Sequence, residues 1–198
     1  MTTENHAEQQ ARAQVASVCA MVAALECDWD RLEELRDDCA EVLELRGECL
    51  RLRQAQCQEG ASKGVTDALV AFELEHGDRL RELEDEMSSE VEELAELEEA
   101  AGDYDDREDA ERAIDEDPLS VEVRSGWGSP GDSLDPEEYR IVLCTGGPHV
   151  ELVGDLDHHG EPCSVRVQYR DWGTSGELFD FDHEAVLTYC RQHGLGSY

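Results

Sequence analysis

From Val15 the apolar residues recur every three or four positions, at Val15, Val18, Val22, Leu25, Trp29 and Leu32. After a three-residue step the pattern resumes at Leu35, Cys39 and Val42, then runs on through Leu45, Cys49 and Leu52. The positions between are charged. A repeat of about 3.5 residues predicts a helix with one apolar seam, of the kind that builds coiled coils. The seam ends by Gln54 to Gln58, and GASKG, from Gly60 to Gly64, reads as a turn. A second seam follows at Leu69, Phe72, Leu80, Leu83, Met87, Val91, Leu94 and Leu97. Gly77 with Asp78 reads as a brief break in it, because glycine ends helices and aspartate caps the next one. The AGD at Ala101 to Asp103 is a further break, and DREDAERAID predicts a short third helix from about Asp106 to Asp115. Two long helices joined by a short turn fold back as an antiparallel hairpin. One hairpin covers its apolar stripe poorly, so a homodimer through the helical region is expected.

After Pro118 the period changes to two. Leu119, Val121 and Val123 alternate with Ser120, Glu122 and Arg124, and the runs YRIVLC, HVELVGDL, SVRVQYRDW and ELFDF follow between Gly-, Pro- and Asp-rich turns. Short alternating runs at that spacing predict an antiparallel meander of four or five strands. Asp182 is placed to cap a last helix, HEAVLTYCRQHG, whose Ala185, Val186, Tyr189 and Cys190 share one face and which Gly194 stops. The expected fold is therefore α+β: an acidic, coiled-coil-like helical hairpin over 1–117, then a small antiparallel β-meander over 118–198 covered by one C-terminal helix. All five prolines and most of the aromatic residues fall in the second part, which places the boundary near Pro118.

Charge sharpens the division. The 198 residues carry 50 acidic and 16 basic side chains, a net charge of −34. Residues 1–118 hold 36 acids and 11 bases, and residues 119–198 hold 14 and 5. Between Glu82 and Asp117 there are nineteen Asp or Glu against Arg107 and Arg112 alone. On a continuous helix, rising about 1.5 Å per residue, that density is one net charge per ~3 Å. Duplex DNA carries one per ~1.7 Å. Such a chain repels nucleic acid and anionic lipid and attracts basic surfaces. Direct nucleic-acid binding and polybasic membrane anchoring are therefore not expected. Rows such as Glu82, Glu86, Glu90, Glu93 and Glu96 put like charges at helical spacing, which costs a few tenths of a kcal/mol per pair. Their accumulation asks for a use, although a solvated over-acidic coiled coil is the plain alternative.

Other chemistry is thin. No apolar run approaches eighteen residues, and the N-terminus has no basic start followed by an apolar core, so a cytoplasmic protein is expected. The eight cysteines form no C-x-x-C pair, and several occupy helical apolar positions, so they read as small core residues. His158, His159, Glu161 and Cys163 gather at one turn, but adjacent histidines diverge on extended chain and make a poor metal site. Cys144 beside His149 resembles an activated thiol only in its spacing, and the end of an apolar strand suits a buried cysteine better. Asp155, Asp157 and Glu161 suit a solvated turn better than a cation. No phosphate-cradling glycine motif occurs. No convergent catalytic set is legible, so neither an enzyme nor a cofactor is expected. Trp127 and Trp172 stand apart, in a predicted loop and at a strand end, where an aromatic anchors a protein interface if exposed and caps the sheet core if not.

The segments DPLSVEVRSGW, YRIVLCTGGPHVELVGDLDHHGEP, YRDWGT and LTYCRQHG, spanning roughly residues 114–194, resemble a recurring family of phage and prophage proteins of largely unassigned function. Members of that family end in an aromatic-rich tail, whereas this chain ends GLGSY. The resemblance implies a mobile-element setting, in which small acidic proteins antagonise host defence as anti-CRISPR or anti-restriction factors, several of them DNA mimics. The expectation is an inhibitor that acts in the host cytoplasm. It would present Glu82, Glu84, Asp85, Glu86, Glu92, Glu93, Glu96, Glu98 and Glu99, extended by Asp103, Asp105 and Asp106, to a basic nucleic-acid-binding host protein or CRISPR complex. The alternative is a coiled-coil adaptor whose C-terminal module binds a protein partner through Trp127 and Trp172.

Overall fold

The computed structural model describes residues 6–57, 63–130 and 134–195. Seven helices and one sheet are found among them, and the chain divides into two compact units, 1–27 with 101–198 and 28–100. The α+β class, the N-terminal helices, the five-stranded antiparallel sheet and the C-terminal helix are all as the sequence predicts. The boundary between units is not at Pro118. The first predicted helix is cut at Cys27, and its N-terminal part belongs with the sheet.

That part is α1 (His6–Glu26). Ala7, Ala11, Val15, Val18, Val22 and Leu25 recur at steps of four and three, so they share one face, and all are buried. They pack over strands β3 (His149–Asp155), β4 (Arg166–Asp171) and β5 (Thr174–Leu178), and against α6 (Arg107–Glu116) and α7 (His183–Gln192). The sheet, completed by β1 (Ser120–Ser125) and β2 (Pro136–Cys144), runs β1-β2-β3-β4-β5 with every pair antiparallel. Its register lines up Val121, Ile141, Leu152, Val167 and Leu178 as one apolar row across all five strands. Tyr139 lies opposite Gly154 and Tyr169 opposite Gly176. A Cβ at Gly154 would fall 1.9 Å from the Ser164 carbonyl oxygen and 2.7 Å from the Tyr139 ring, and one at Gly176 would fall 2.5 Å from the Tyr169 hydroxyl. Each glycine therefore makes room for a tyrosine on the buried face. The Tyr139 hydroxyl donates to the Ser164 carbonyl at 2.8 Å. The expected cover of one C-terminal helix is thus incomplete: α7 sits beside α1, and Val186, Tyr189 and Cys190 join the core that α1 and Ile114 of α6 close. Tyr189 donates to Asp117 at 2.7 Å, tying α7 to the end of α6.

The second unit is a helical hairpin. Its first arm is α2 (Trp29–Asp38) and α3 (Ala40–Cys57), its second α4 (Lys63–Glu86) and α5 (Ser88–Ala101). Asp28 starts the first arm by accepting the Arg31 backbone N–H. Helical hydrogen bonds carry through both internal junctions: Cys39 N–H to Leu35 and Leu43 N–H to Cys39, then Met87 N–H to Leu83 and Val91 N–H to Met87. The break expected at Gly77 and Asp78 is absent, since both lie inside α4. One helical glycine costs about 1 kcal/mol against alanine, too little to end a helix that packs on both sides of it. The break at Gly102 is present, with positive φ, and α6 begins behind its Asp106 cap as predicted. The turn expected at Gly60 to Gly64 falls in part on residues 58–62, which lie outside the described residues, as do 131–133 and 196–198.

Candidate functional site: the outer face of the acidic hairpin

The carboxylates proposed from sequence separate into three groups once the hairpin register is known. Four already hold arginines. Glu93 takes Arg31 in a two-pronged pair with contacts of 3.0 and 2.8 Å. Glu84 takes Arg46 at 3.0 Å, Glu98 takes Arg36 at 3.4 Å, and Glu82 takes Arg79 at 3.2 Å. Arg79 also reaches across to Glu41 at 3.0 Å. These bonds hold Glu93 and Glu41 below the usual carboxylate range, chiefly through the guanidinium hydrogen bonds, and raise Arg31 and Arg79 in turn. The pairs of Arg31 with Glu93, Arg36 with Glu98, Arg46 with Glu84 and Arg79 with Glu41 stitch the two arms together, whereas Glu82 and Arg79 pair within α4.

A second group is free. Asp85, Glu86, Glu92, Glu96 and Glu99 are exposed and make no ion pair among the described residues. At 100° per residue, Asp85, Glu92, Glu96 and Glu99 fall within about 60° of one another, opposite buried Leu83 and Leu94. They form a stripe about 21 Å long with a charge every ~7 Å. One strand of DNA carries a charge per ~3.4 Å. The sequence-level density of one per ~3 Å therefore overstated what this face presents, because it counted carboxylates that arginines of the hairpin neutralise and others that belong to the second unit.

Asp103, Asp105 and Asp106 belong to the other compact unit. Asp103 and Asp105 are exposed, whereas Asp106 caps α6 by accepting the Asp109 N–H at 2.8 Å. Its carboxylate has a structural task.

The two tryptophans are exposed, so neither caps the sheet core. Trp127 is fully open to solvent after β1, and Trp172 is 91% exposed in the turn between β4 and β5. They flank opposite edges of the sheet, whose outer strands are about 19 Å apart at ~4.8 Å per strand. A single small contact does not include both. Trp172 borders an open cleft of about 630 Å³ with Gly147, His149 and Arg170. On the sheet face away from α1, Glu151 is buried to 6% exposure. It is ringed by His149 at 3.1 Å, Arg170 at 3.7 Å and Arg140 at 4.0 Å. Arg140 also pairs with Glu122, which extends the network to β1.

The remaining candidates are occupied by local structure. The Asp157 carboxylate accepts the backbone N–H groups of Glu161 and His159, which hold it below its ordinary range. Burial raises the Cys144 thiol, whose sulfur contacts the Pro148 carbonyl at 3.7 Å, so it is no activated nucleophile. No group of three or more His, Cys, Asp or Glu able to hold a metal ion occurs among the described residues. No helix among them is long and apolar enough to cross a membrane.

Comparison with known proteins adds no relative: no family model, no curated protein and no solved structure matches this chain. What the molecule does is therefore read from its own surface. The features that sequence reasoning missed are Arg31, Arg36, Arg46 and Arg79 as internal counterions, and the convergence of His149, Arg140 and Arg170 on Glu151. The available signal for the first was the placement of basic residues on one arm at mirror positions, about the turn, to acidic residues on the other.

Proposed function

We propose that this chain is a protein-binding inhibitor that occludes a basic nucleic-acid-binding groove, as a partial mimic of a phosphate backbone. The setting suggested by the resemblance of residues 114–194 is a phage-encoded factor directed in the host cytoplasm at a CRISPR complex or a similar defence protein. The observation that carries the reading is the stripe of Asp85, Glu92, Glu96 and Glu99, exposed and free of internal counterions on one helix face. Carboxylates there take the place of phosphates opposite Lys and Arg, the contacts that position a nucleic acid without reading its sequence. A field of this kind speeds encounter more than it selects a partner, and exposed charges are screened beyond about 8 Å at physiological ionic strength. Binding should therefore weaken steeply with salt.

The test reverses the free carboxylates and spares the paired ones. A variant with Asp85, Glu92, Glu96 and Glu99 changed to Lys should keep its helix content by circular dichroism and lose salt-sensitive binding to the basic target. Loss of helix content would instead make those charges structural. The second reading, an adaptor that binds through the sheet unit, is favoured by the exposure of Trp172 beside its cleft. A Trp172→Ala variant that loses a salt-resistant partner, while the stripe variant keeps it, would select that reading.

A further inference from the structure

The sheet is open at β1, which has β2 on one side and no strand on the other. One hydrogen bond fixes what the open side offers. The Val142 carbonyl accepts the Leu119 N–H at 2.8 Å, so Val142 and the other even-numbered residues of β2 turn their backbone groups toward β1. Their register partners Ser120, Glu122 and Arg124 bond to β2, and Val121 and Val123 therefore turn N–H and C=O to the free edge. Among the described residues no turn or loop backbone takes these groups up. An unpaired edge is a template for a further strand, and natural sheets guard theirs with proline, lysine or a covering segment. Strand β1 has neither proline nor lysine. It is bordered by apolar side chains in solvent, Leu119 before it at 59% exposure and the fully open Trp127 after it.

We infer that this edge pairs with β1 of a second copy, antiparallel about a two-fold axis at Val123, and joins two five-stranded sheets into one. A two-fold contact must complement itself. The segment Glu122, Val123, Arg124 does, because reversed it reads Arg, Val, Glu. Val123 opposite the second copy's Val123 exchanges both backbone hydrogen bonds with it, and Val121 faces the second copy's Ser125. On the face away from α1, Glu122 stands directly opposite the second copy's Arg124, and Arg124 opposite its Glu122. These are non-hydrogen-bonded positions, where Cα atoms approach to ~4.5 Å. Both side chains already have partners on β2, Glu122 with Arg140 and Arg124 with Glu138. The new contacts extend those pairs instead of competing with them. The row across the two copies reads Arg140, Glu122, Arg124, Glu138, and its sign alternates throughout.

Charge selects this register. Side chains alternate between faces, so only shifts by two residues keep the apolar faces of the copies on one side. A shift by two sets Glu122 against Glu122 in one direction and Arg124 against Arg124 in the other. Like charges directly opposite are destabilising. The other open edge, β5, carries Glu177 and no basic residue, with Gly176 at its middle, and has no such complement. The contact also lies outside the helical seams, whose periodicity predicts a dimer elsewhere.

The experiment is the mass of the full-length chain in solution, by light scattering during gel filtration. Physiological ionic strength is used, since screening beyond about 8 Å leaves close contacts to outweigh the net charge of −34 on each copy. The native chain should run at twice 22.1 kDa. Val123→Pro removes an outward N–H and none that bonds β2, and should run at 22.1 kDa with its strand content kept. Arg124→Glu and Glu122→Arg should each weaken the dimer by about tenfold or more, because each turns both cross-copy pairs into like charges. An equimolar mixture of those two variants should recover the doubled mass as a heterodimer. Their contacts with Glu138 and Arg140 are the same alone and mixed, so the recovery reads only the contact between copies. A native chain that is monomeric at high micromolar concentration would overturn the inference. So would a dimer indifferent to Val123→Pro, or a mixture that stays monomeric. The variant with Asp85, Glu92, Glu96 and Glu99 changed to Lys should remain dimeric, which separates this result from the proposed function; loss of the dimer there would place the contact on the hairpin and overturn the inference too.

Discussion

Removing α1 should unfold the sheet. Deleting residues 1–27, or expressing 118–198 alone, strips the apolar row Val121, Ile141, Leu152, Val167 and Leu178 of its main cover. Helix α1 buries five large apolar side chains, Val15, Val18, Met21, Val22 and Leu25, beside three alanines. At about 1.5–3 kcal/mol for each large side chain, that burial amounts to about 8–15 kcal/mol. The total stability of a domain is about 5–15 kcal/mol. The loss is therefore as large as the stability it acts on. A gentler version is Leu25→Ala, expected to cost about 2–5 kcal/mol because Leu25 is almost completely buried. Urea unfolding followed by a strand-sensitive probe, such as amide exchange at Ile141 and Leu152, reads both. A cooperative, native-like transition in the 118–198 fragment would refute the reasoning. So would a midpoint unmoved by Leu25→Ala.

Three further outcomes follow from burial and close contact. Burial pushes the Cys190 thiol up to about 12, so almost no thiolate exists at neutral pH. A thiol reagent should label exposed Cys57 and Cys163 in the folded chain and reach Cys190 only on unfolding; rapid native labelling of Cys190 would contradict its placement. Burial also lowers His193 in the folded state, outweighing the opposite pull of Asp115 and Asp117, and its Nε2 has no hydrogen-bond partner. The unfolded chain takes the proton first, near its ordinary value of about 6.5. The contribution is therefore complete above about pH 6.5 and falls as pH drops from there toward the folded value. His193→Phe, which keeps the edge contact with Tyr189, should flatten that part of the stability profile, and an unchanged slope would show that His193 is not its source. Finally, Gly154→Ala forces a Cβ into the Ser164 carbonyl and the Tyr139 ring. It should lower the unfolding midpoint by the equivalent of about 3 kcal/mol or more, whereas Gly47→Ala, with open space around it, should raise helix stability slightly. Equal effects at the two glycines would contradict the packing described.

Much of the secondary structure was legible because its signals are local. The alternation of Val121 and Val123, the caps Asp106 and Asp182, and Gly102 each act within a few residues. The cut at Cys27 was not legible. The spacing from Leu25 through Trp29 to Leu32 keeps helical phase across it, and a capping Asp28 gives no contrast among so many neighbouring acids. An amphipathic stripe also reads the same whether it meets a helix or a sheet, so periodicity alone places α1 with the hairpin. The candidate site was half legible. Its negative charge is plain in the sequence, but which carboxylates remain free depends on the register that sets Arg31 against Glu93 and Arg46 against Glu84. The exposure of Trp172, which distinguishes an anchor from a core residue, is likewise a property of the folded turn.

The most direct test is competition with duplex DNA for proteins captured from a bacterial lysate at low and moderate salt. Native chain and the Asp85, Glu92, Glu96, Glu99→Lys variant are immobilised side by side. Occlusion of a nucleic-acid groove predicts a nucleic-acid-binding protein held by the native chain, released by added duplex and by salt, and absent from the variant. Equal capture by both chains, or capture indifferent to duplex, would contradict it.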